Sequence, residues 1–233
     1  MVQQKILKKL GSIQKIVLYA PTWKDCENSS SFEGAISHLV ENLPESWGLI
    51  VKLHPHLLSN QEEKNRALLH KYEMHERVLF LEDFPPVYPL LQVADIYVGD
   101  LSSIGYDFLG FNKPMFFLNS QNREAKTDLG LYLYQCGIEI RPDQYPFLYD
   151  IIKENLKEDA SRFKSIREKI NDYTFAPTTS ETALKKGFIE SIVSINIPEV
   201  DYKKTETNDK AKYETKLEFF LLIFFENHLF PII

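Results

Sequence analysis

LEDFPPVYPLLQVADIYVGDLSSIGYDFLGFNKPMFFLN, residues 81–119, alternates twice between a helical pattern and an apolar run. Residues 86–94 predict a short helix with proline near its start, and residues 95–98 (DIYV) predict a strand. A second helix is predicted at 103–110 and a second strand at 115–118 (MFFL). Parallel strands need a crossover connection, which is usually a helix, so this order predicts neighbouring parallel strands.

The same alternation precedes this stretch and weakens after it. Earlier strands are predicted at 16–20 (IVLYA), 49–53 (LIVKL) and 78–81 (VLFL). Ser30 and Glu33 have the spacing of a capping box before a helix, and residues 61–72 predict a charged helix. Later elements are a short strand at 138–140 and helices at 147–156, 160–171 and 180–194. The fold class is therefore α/β, a Rossmann-like and mostly parallel sheet with helices on both faces.

Length and composition indicate one main domain. A chain of 233 residues is short for two full α/β domains, and 44% hydrophobic with 26% charged residues is typical of a globular protein. We assign residues 1–14 to an N-terminal helix or linker, 15–195 to the domain, and 196–233 to a polar linker with an apolar tail. The net charge of -6 disfavours nucleic acid as a partner.

The tail combines two different compositions. Residues 203–216 are almost wholly polar, whereas residues 217–230 (LEFFLLIFFENHLF) are apolar apart from a few polar positions such as Glu218 and Glu226. A helix needs about 20 apolar residues to cross a bilayer, so this tail is too short to span one. Two interpretations stay open: the tail packs on the domain or a partner protein, or it lies in a membrane interface.

Cysteine use and the N-terminus bear on location. Cys26 and Cys136 are far apart and form neither a zinc spacing nor a disulfide framework. The N-terminus has no continuous apolar core of a secretory signal. We therefore expect a cytoplasmic protein, with peripheral contact at the inner face of the cell membrane as the alternative that the tail leaves open.

Polar residues follow each of the first four predicted strands. They are Thr22 and Lys24, then Lys52 and His54, then Asp83, and then Asp100, Ser102 and Ser103. Ligands of open α/β sheets bind beyond the carboxyl ends of the strands. All four loops are therefore expected to open on one edge that forms a binding site.

The loop after the fourth strand predicts a phosphate site. Ser102 or Ser103 can cap the following helix, so backbone N–H groups and hydroxyls would face an anion. Asp107, further along this helix, could reach a sugar hydroxyl. The plainer interpretations are a capped helix without a ligand and a solvated Asp107.

Lys52 and His54 fall on one side of the second strand's end because side chains alternate with a period of two. His54 could act on a departing phosphate as a general acid or cationic donor, with Lys52 as a point charge. Thr22 could add a hydroxyl and Lys24 a charge, while Asp83 precedes a helix and could help to read a base. A structural histidine and a simple N-cap at Asp83 are the alternatives.

Several sequence motifs are missing. The chain has no GxGxxG after its first strand, no GxxxxGK[ST], no HExxH and no GxSxG. These absences disfavour a dinucleotide dehydrogenase, a P-loop enzyme, a zinc protease and a serine hydrolase. We expect no cofactor and no metal.

The loops in order, YAPTWK, KLHPH and residues 81–119, resemble the C-terminal half of the CDP-glycerol glycerophosphotransferases of teichoic acid synthesis. That family carries YAPTWR, K/R-x-HP and TDYSS in the same order. The resemblance covers residues 15–119 well and extends weakly to about residue 195. Lys24 stands where the family has arginine, and Leu101 stands where it has tyrosine.

The resemblance implies a single half of a GT-B enzyme, the half that binds the nucleotide-activated donor. His54 would lie by the donor phosphates, Ser102 and Ser103 would bind them, and Thr22 and Asp100 would line the same pocket. The implied donor is CDP-glycerol or a similar nucleotide, whose glycerol phosphate moves to a polymer or glycan acceptor with release of CMP. Only residues 1–15 precede the first predicted strand, which leaves three interpretations open: a fragment, one half of a split enzyme with a separate acceptor-domain protein as partner, or a degenerate homologue.

Two alternatives to this function stay open. The chain could be the nucleotide-binding half of a UDP-sugar glycosyltransferase or 2-epimerase, or a non-catalytic module that binds a nucleotide or a partner. Whether the chain catalyses transfer by itself is not decided by its sequence.

Overall fold

The computed structural model describes residues 10, 13–22, 30–54, 57, 62–82 and 87–175. Within these residues there are six strands: β1 (Lys15–Ala20), β2 (Trp47–Lys52), β3 (Val78–Leu81), β4 (Ile96–Gly99), β5 (Met115–Leu118) and β6 (Ile138–Ile140). The same described residues form six α-helices: α1 (Phe32–Glu41), α2 (Glu62–Tyr72), α3 (Tyr88–Val93), α4 (Ser103–Leu109), α5 (Leu148–Leu156) and α6 (Asp159–Phe175). Two 3-10 segments, Leu129–Cys136 and Pro142–Phe147, flank β6.

The six strands form one sheet of order β3-β2-β1-β4-β5-β6, and every neighbouring pair is parallel. On one side of β1 lie β2 and then β3, and on its other side lie β4, β5 and β6 in that order. This order is that of a Rossmann-like sheet, so the predicted fold class is confirmed.

Helices cover each face of the sheet, as expected. One face packs against α1, α2 and α5, and the other packs against α3, α4, α6 and the segment Leu129–Cys136. Successive residues of a strand point to opposite faces, which is why β1 and β2 need apolar residues at almost every position. The two apolar cores thus hold the sheet from both sides.

The start of α1 differs from the prediction. Ser31, rather than Ser30, occupies the N-cap position, and its side chain makes no cap hydrogen bond. The Ser30 hydroxyl instead donates to the Thr22 carbonyl over 2.8 Å. Glu33 pairs with Lys64 of α2, so the predicted capping box is wrong because each of its members has another partner.

The buried Arg167 side chain makes an ion pair within α6 and also bonds this helix to the rest of the domain. Arg167 is 1% exposed and holds Asp159 in a bidentate pair, with N–O distances of 3.0 and 2.5 Å. It also donates to the side chain of Asn112 and to the carbonyl of Cys136. These bonds join the helix to the turn before β5 and to the end of a 3-10 segment.

Residues 176–233 lie outside the described part of the chain, so the helix predicted at 180–194, the domain end at 195 and the apolar tail stay predictions. Among the helices that the structure does describe, none is long and apolar enough to cross a membrane.

Candidate functional site: the carboxyl edge between β1 and β4

The order of the sheet reverses between β1 and β4, whose last residues, Ala20 and Gly99, pair with each other. The loops that leave these strands therefore start side by side and diverge. A crevice of this kind, outside the carboxyl ends at a topological switch point, is where open α/β sheets bind ligands. Thr22 and Asp100 lie just beyond the two strand ends.

Asp100 joins the two loops directly. Its Oδ2 accepts hydrogen bonds from the Thr22 amide over 2.8 Å and from the Ser31 amide over 3.1 Å. Asp100 is 1% exposed, so these bonds are shielded from water. The predicted contact of Asp100 and Thr22 with a donor stays a prediction.

Ser31 is fixed a second time through its side chain. Its hydroxyl lies 2.8 Å from the Tyr19 hydroxyl, and both residues are buried. Tyr19 belongs to β1, so the start of α1 is held by the strand that precedes it and by the loop after β4. The sequence pattern of α1 gave no sign of this arrangement.

The loop after β4 presents Ser102 and Ser103, as predicted, but not through a side-chain cap. Ser102 occupies the N-cap position of α4, and its hydroxyl lies 3.2 Å from the Tyr97 hydroxyl instead of capping the helix. The predicted cap is therefore wrong at Ser102. Ser103 is exposed. Since α4 has only seven residues, the hydroxyls matter more here than a helix dipole.

Gly99 makes the contact between Tyr97 and Ser102 possible. A Cβ at residue 99 would lie 2.5 Å from the Tyr97 hydroxyl oxygen and 2.9 Å from the Ala20 carbonyl oxygen. Tyr97 and Gly99 are two residues apart and thus share a face of β4. Because Gly99 has no side chain, the Tyr97 phenol can pack directly against the end of β4.

Lys52 and His54 lie at the end of β2, next to β1. Lys52 is 9% exposed, and its amine donates to the Leu53 carbonyl over 2.9 Å. His54 is half-buried. Its carbonyl accepts from the amide of Leu57. The buried Asn65 of α2 donates to the Leu57 carbonyl over 2.7 Å and so anchors the His54 loop, a role that sequence reasoning missed.

Asp107 is half-buried on α4, and the Tyr88 hydroxyl donates to its Oδ1 over 3.1 Å. Burial raises the pKa of the Asp107 carboxyl, and the bond from Tyr88 acts in the opposite direction. The residue is four positions after Ser103, on the same side of the helix. Ser103 and Asp107 thus form one polar face beside the crevice.

Four buried tyrosines surround the base of the site. Burial raises the pKa of Tyr19, Tyr97, Tyr134 and Tyr145, and the negative charge of Asp100 adds to each shift. Their hydroxyls therefore stay protonated at neutral pH. The Tyr145 hydroxyl is buried and has no hydrogen-bond partner among the described residues.

Two predicted site residues, Lys24 and Asp83, lie outside the described residues, and their roles stay predictions. In the part of the chain that the structure describes, no group of three His, Cys, Asp or Glu residues could hold a metal ion. The ends of β1, β2 and β4 and the loops after them supply hydroxyls (Thr22, Ser102 and Ser103), an amine (Lys52) and an imidazole (His54). Such donors suit an anionic ligand that carries phosphate.

An all-parallel sheet with polar loops at its switch point defines the Rossmann-like class of domain that GT-B transferases use. A glycosyltransferase from Rickettsia africae ESF-5 shares the fold, with a TM-score of 0.56 and 12% identity over 84% of this chain and 52% of that one. The family model for CDP-Glycerol:Poly(glycerophosphate) glycerophosphotransferase matches residues 3–174, and the chain belongs to this family. The predicted family is confirmed.

Known relatives are longer than this chain. The teichoic acid glycerol-phosphate primase of Bacillus subtilis (strain 168) is 29% identical over 193 residues, which are 78% of this chain and 45% of the primase. The wall teichoic acid polymerase TagF, solved as a histidine variant soaked with CDPG, has a TM-score of 0.54 and 20% identity. The match covers 82% of this chain and 45% of TagF. The chain thus spans less than half the length of these relatives.

Proposed function

We propose that this chain binds the nucleotide-activated donor, CDP-glycerol or a related CDP-alditol, for transfer of glycerol phosphate to a polymer or glycan acceptor. The observation that carries the proposal is the convergence of the three loops after β1, β2 and β4 on one edge, within a chain of this family. The names of the relatives, a glycerol-phosphate primase and poly(glycerol phosphate) polymerases, support the same chemistry.

The polar side chains at this edge divide into two groups. We assign Ser102, Ser103 and Thr22 to hydrogen bonds with the donor diphosphate, because hydroxyls can donate to phosphate oxygens without adding charge. His54 and Lys52 supply positive charge from the β2 side. His54 is half-buried, so its imidazole can reach a ligand and still exchange protons with solvent.

The proposed reaction is a phosphoryl transfer. An acceptor hydroxyl oxygen forms a bond to the phosphorus next to glycerol, and the bond from that phosphorus to the bridging oxygen breaks, so CMP leaves with the electron pair. The acceptor proton passes to a base on the acceptor side. His54 stabilises the leaving phosphate as a cationic donor or protonates it, since charge on the leaving group is what this transition state must stabilise.

Donor selection would depend on residues around the phosphate site. The Asp107 carboxylate accepts from the Tyr88 hydroxyl, and we propose that it also accepts a hydrogen bond from a sugar hydroxyl of the donor. Lys24 and Asp83 are proposed to contact the phosphates and the base. The acceptor and the base for its hydroxyl are proposed to be held by an acceptor domain, and the reaction is proposed to take place in peripheral contact with the cytoplasmic face of the membrane.

Calorimetric titration tests the donor assignment. The purified chain is titrated with CDP-glycerol, CDP, UDP and UDP-N-acetylglucosamine, and the experiment is repeated with His54→Ala. We expect selective binding of the cytidine compounds, weakened about tenfold or more in the variant, because a hydrogen bond to a charged group is worth about 1.5–3 kcal/mol. His70→Ala is the matched control, since His70 is exposed in the last turn of α2 and pairs with Glu73.

The outcomes separate the candidate functions. Selective binding of uridine compounds would assign the chain to the sugar-nucleotide enzymes instead. Binding of none of the four nucleotides would contradict the proposal and favour a partner-binding module. Equal loss of affinity in the His54 and His70 variants would remove the role given to His54.

A further inference from the structure

The connection between β1 and α1 is closed at its base by one carboxylate. The amide of Thr22, just after β1, and the amide of Ser31, just before α1, both donate to Oδ2 of Asp100. The Ser30 hydroxyl adds a third bond across the base by donating to the Thr22 carbonyl. Two points nine residues apart in sequence are thus held at the same atom of the loop after β4.

We propose that Asp100 is a positioning residue that clamps both ends of the β1–α1 connection onto β4, and that it shapes the donor site without touching the donor. This inference rests on the proposed function for the identity of the ligand. The clamp itself rests on the two amide bonds alone.

A carboxylate suits this task for two reasons. Hydrogen bonds from amides to an ionised oxygen are stronger than those to a neutral one, and one carboxylate oxygen can accept two. Asp100 is 1% exposed, so water does not compete for its Oδ2. The closed base then keeps Thr22 beside the loop that carries Ser102.

The clamp continues to the serines through Tyr97. The Tyr97 hydroxyl donates to the Asp100 carbonyl over 3.4 Å and lies 3.2 Å from the Ser102 hydroxyl. One buried phenol therefore relates the position of Asp100 to that of Ser102. A shift of Asp100 would be transmitted to the proposed phosphate-binding hydroxyls.

Direct contact between Asp100 and the donor diphosphate is disfavoured by charge. The donor carries a diphosphate, and a carboxylate against it would be repelled more strongly in a buried site than in water. The Asp100 carboxylate instead accepts hydrogen bonds from two backbone amides. A positioning role thus agrees with the sign of the charge, and contact with the diphosphate does not.

Asp95 provides a matched control at the other end of β4. Its Oδ2 accepts from the Ile16 amide over 2.7 Å, so it makes the same kind of bond to β1. It lies at the amino edge of the sheet, opposite the proposed site. Asp95→Ala should remove an amide bond of this kind without changing the donor site.

The test combines amide hydrogen exchange, followed by NMR, with calorimetric titration of CDP. In Asp100→Ala, exchange at Thr22 and Ser31 should accelerate about tenfold or more while Ile16 is unchanged, and CDP affinity should fall about tenfold. Asp100→Asn keeps an oxygen that can accept both amides, so exchange and affinity should stay within about threefold of the wild type. Asp95→Ala should accelerate exchange at Ile16 alone and leave CDP affinity unchanged.

Several results would overturn the inference. If Asp100→Asn keeps both amides protected but loses CDP affinity, the carboxylate contacts the donor. If protection of Thr22 and Ser31 survives in Asp100→Ala, the clamp does not exist. Should Asp100→Ala not fold, the near-isosteric Asn variant still decides between positioning and contact. If wild-type protein does not bind CDP, the proposed function fails, whereas the exchange rates still decide the clamp.

Discussion

An aspartate next to each end of β4 accepts hydrogen bonds from backbone amides, but the two aspartates have different effects. At the amino end, Asp95 is half-buried and accepts one amide, that of Ile16. At the carboxyl end, Asp100 is buried and accepts two amides, those of Thr22 and Ser31. The first bond fixes one strand to its neighbour, and the second gathers two loops around a crevice.

This comparison shows that position at the sheet edge, and not residue type, separates two groups of residues. Residues that only stabilise the fold are called the frame here, and residues at the carboxyl edge form the site. Loops at the carboxyl edge diverge from the switch point and leave room for a ligand, whereas those at the amino edge do not. Changes in the frame should therefore lower stability and spare donor affinity. Changes at the carboxyl edge should alter affinity at least as much as stability.

The largest effect is expected from the frame, at Arg167. Arg167→Met leaves Asp159 as a buried charge without its bidentate partner, so the free energy of unfolding should fall by about 3–5 kcal/mol. Chemical denaturation measures this loss. Donor affinity per folded molecule, measured by titration with CDP, should not change, because Arg167 bonds to Asp159, Asn112 and Cys136 and not to the loops after β1, β2 and β4.

Arg162→Met is the matched control for this prediction. Arg162 is exposed on the same helix and bonds to Asn155, so its loss should cost less than about 0.5 kcal/mol. A fall in CDP affinity in the Arg167 variant, at a temperature where the protein is folded, would show that frame and site are coupled. The proposed separation would then be wrong.

A smaller loss of stability, together with a loss of CDP affinity, is expected from Gly99→Ala. The new methyl would overlap the Tyr97 hydroxyl, so Tyr97 must move away from Ser102, at a cost of about 1–3 kcal/mol. CDP affinity should fall with it. The matched control is Gly34→Ala, whose methyl would meet Tyr145 at an ordinary 3.4 Å.

Gly34→Ala should be neutral or stabilising by at most about 1 kcal/mol, since alanine favours the helix. Unfolding curves and CDP titrations of the two alanine variants give the contrast. Unchanged CDP affinity in Gly99→Ala would mean that the contact between Tyr97 and Ser102 does not shape the site.

Strand positions and sheet edge were predictable because periodicity and loop chemistry are local properties of the sequence. The runs at 78–81, 115–118 and 138–140 match β3, β5 and β6. The 3-10 segment Pro142–Phe147 was not predicted as a separate element, and helix α5 begins at Leu148 instead of 147. Proline and short turns in this segment give no periodic signal.

Partners of the site residues were not predictable because they come from distant parts of the chain. Asp100 and Thr22 are 78 positions apart, so no local pattern relates them. Ser102 or Ser103 was predicted to cap α4, a local bond, but the Tyr97 hydroxyl at the end of β4 contacts the Ser102 hydroxyl instead. The bond from Asn65 to the Leu57 carbonyl was not predicted, because residues 61–72 show only the pattern of a charged helix. Local sequence patterns therefore predict which edge of the sheet carries the site. Contacts between distant parts of the chain determine which polar atoms at that edge can still bind a ligand.

The smallest effect on stability, with the opposite sign, is expected at Asp107. Burial raises the pKa of this carboxyl above its ordinary value of 3.8, so the folded protein holds the proton more tightly than the unfolded chain does. The ionised form therefore lowers stability above the folded pKa, and this penalty disappears as the pH falls below 3.8. Asp107→Asn should raise the free energy of unfolding at pH 7 by less than about 0.5 kcal/mol.

Denaturation of wild type and variant at pH 7 and at pH 4 tests this sign, because the gain should shrink in acid. CDP affinity should fall roughly fivefold in the same variant if Asp107 accepts from a sugar hydroxyl, because the one oxygen that asparagine keeps accepts from Tyr88 and the lost bond is worth about 1 kcal/mol. A carboxylate that costs stability but adds affinity would belong to the site. If Asp107→Asn loses stability at pH 7 and keeps its affinity, Asp107 instead belongs to the frame, as Asp95 does.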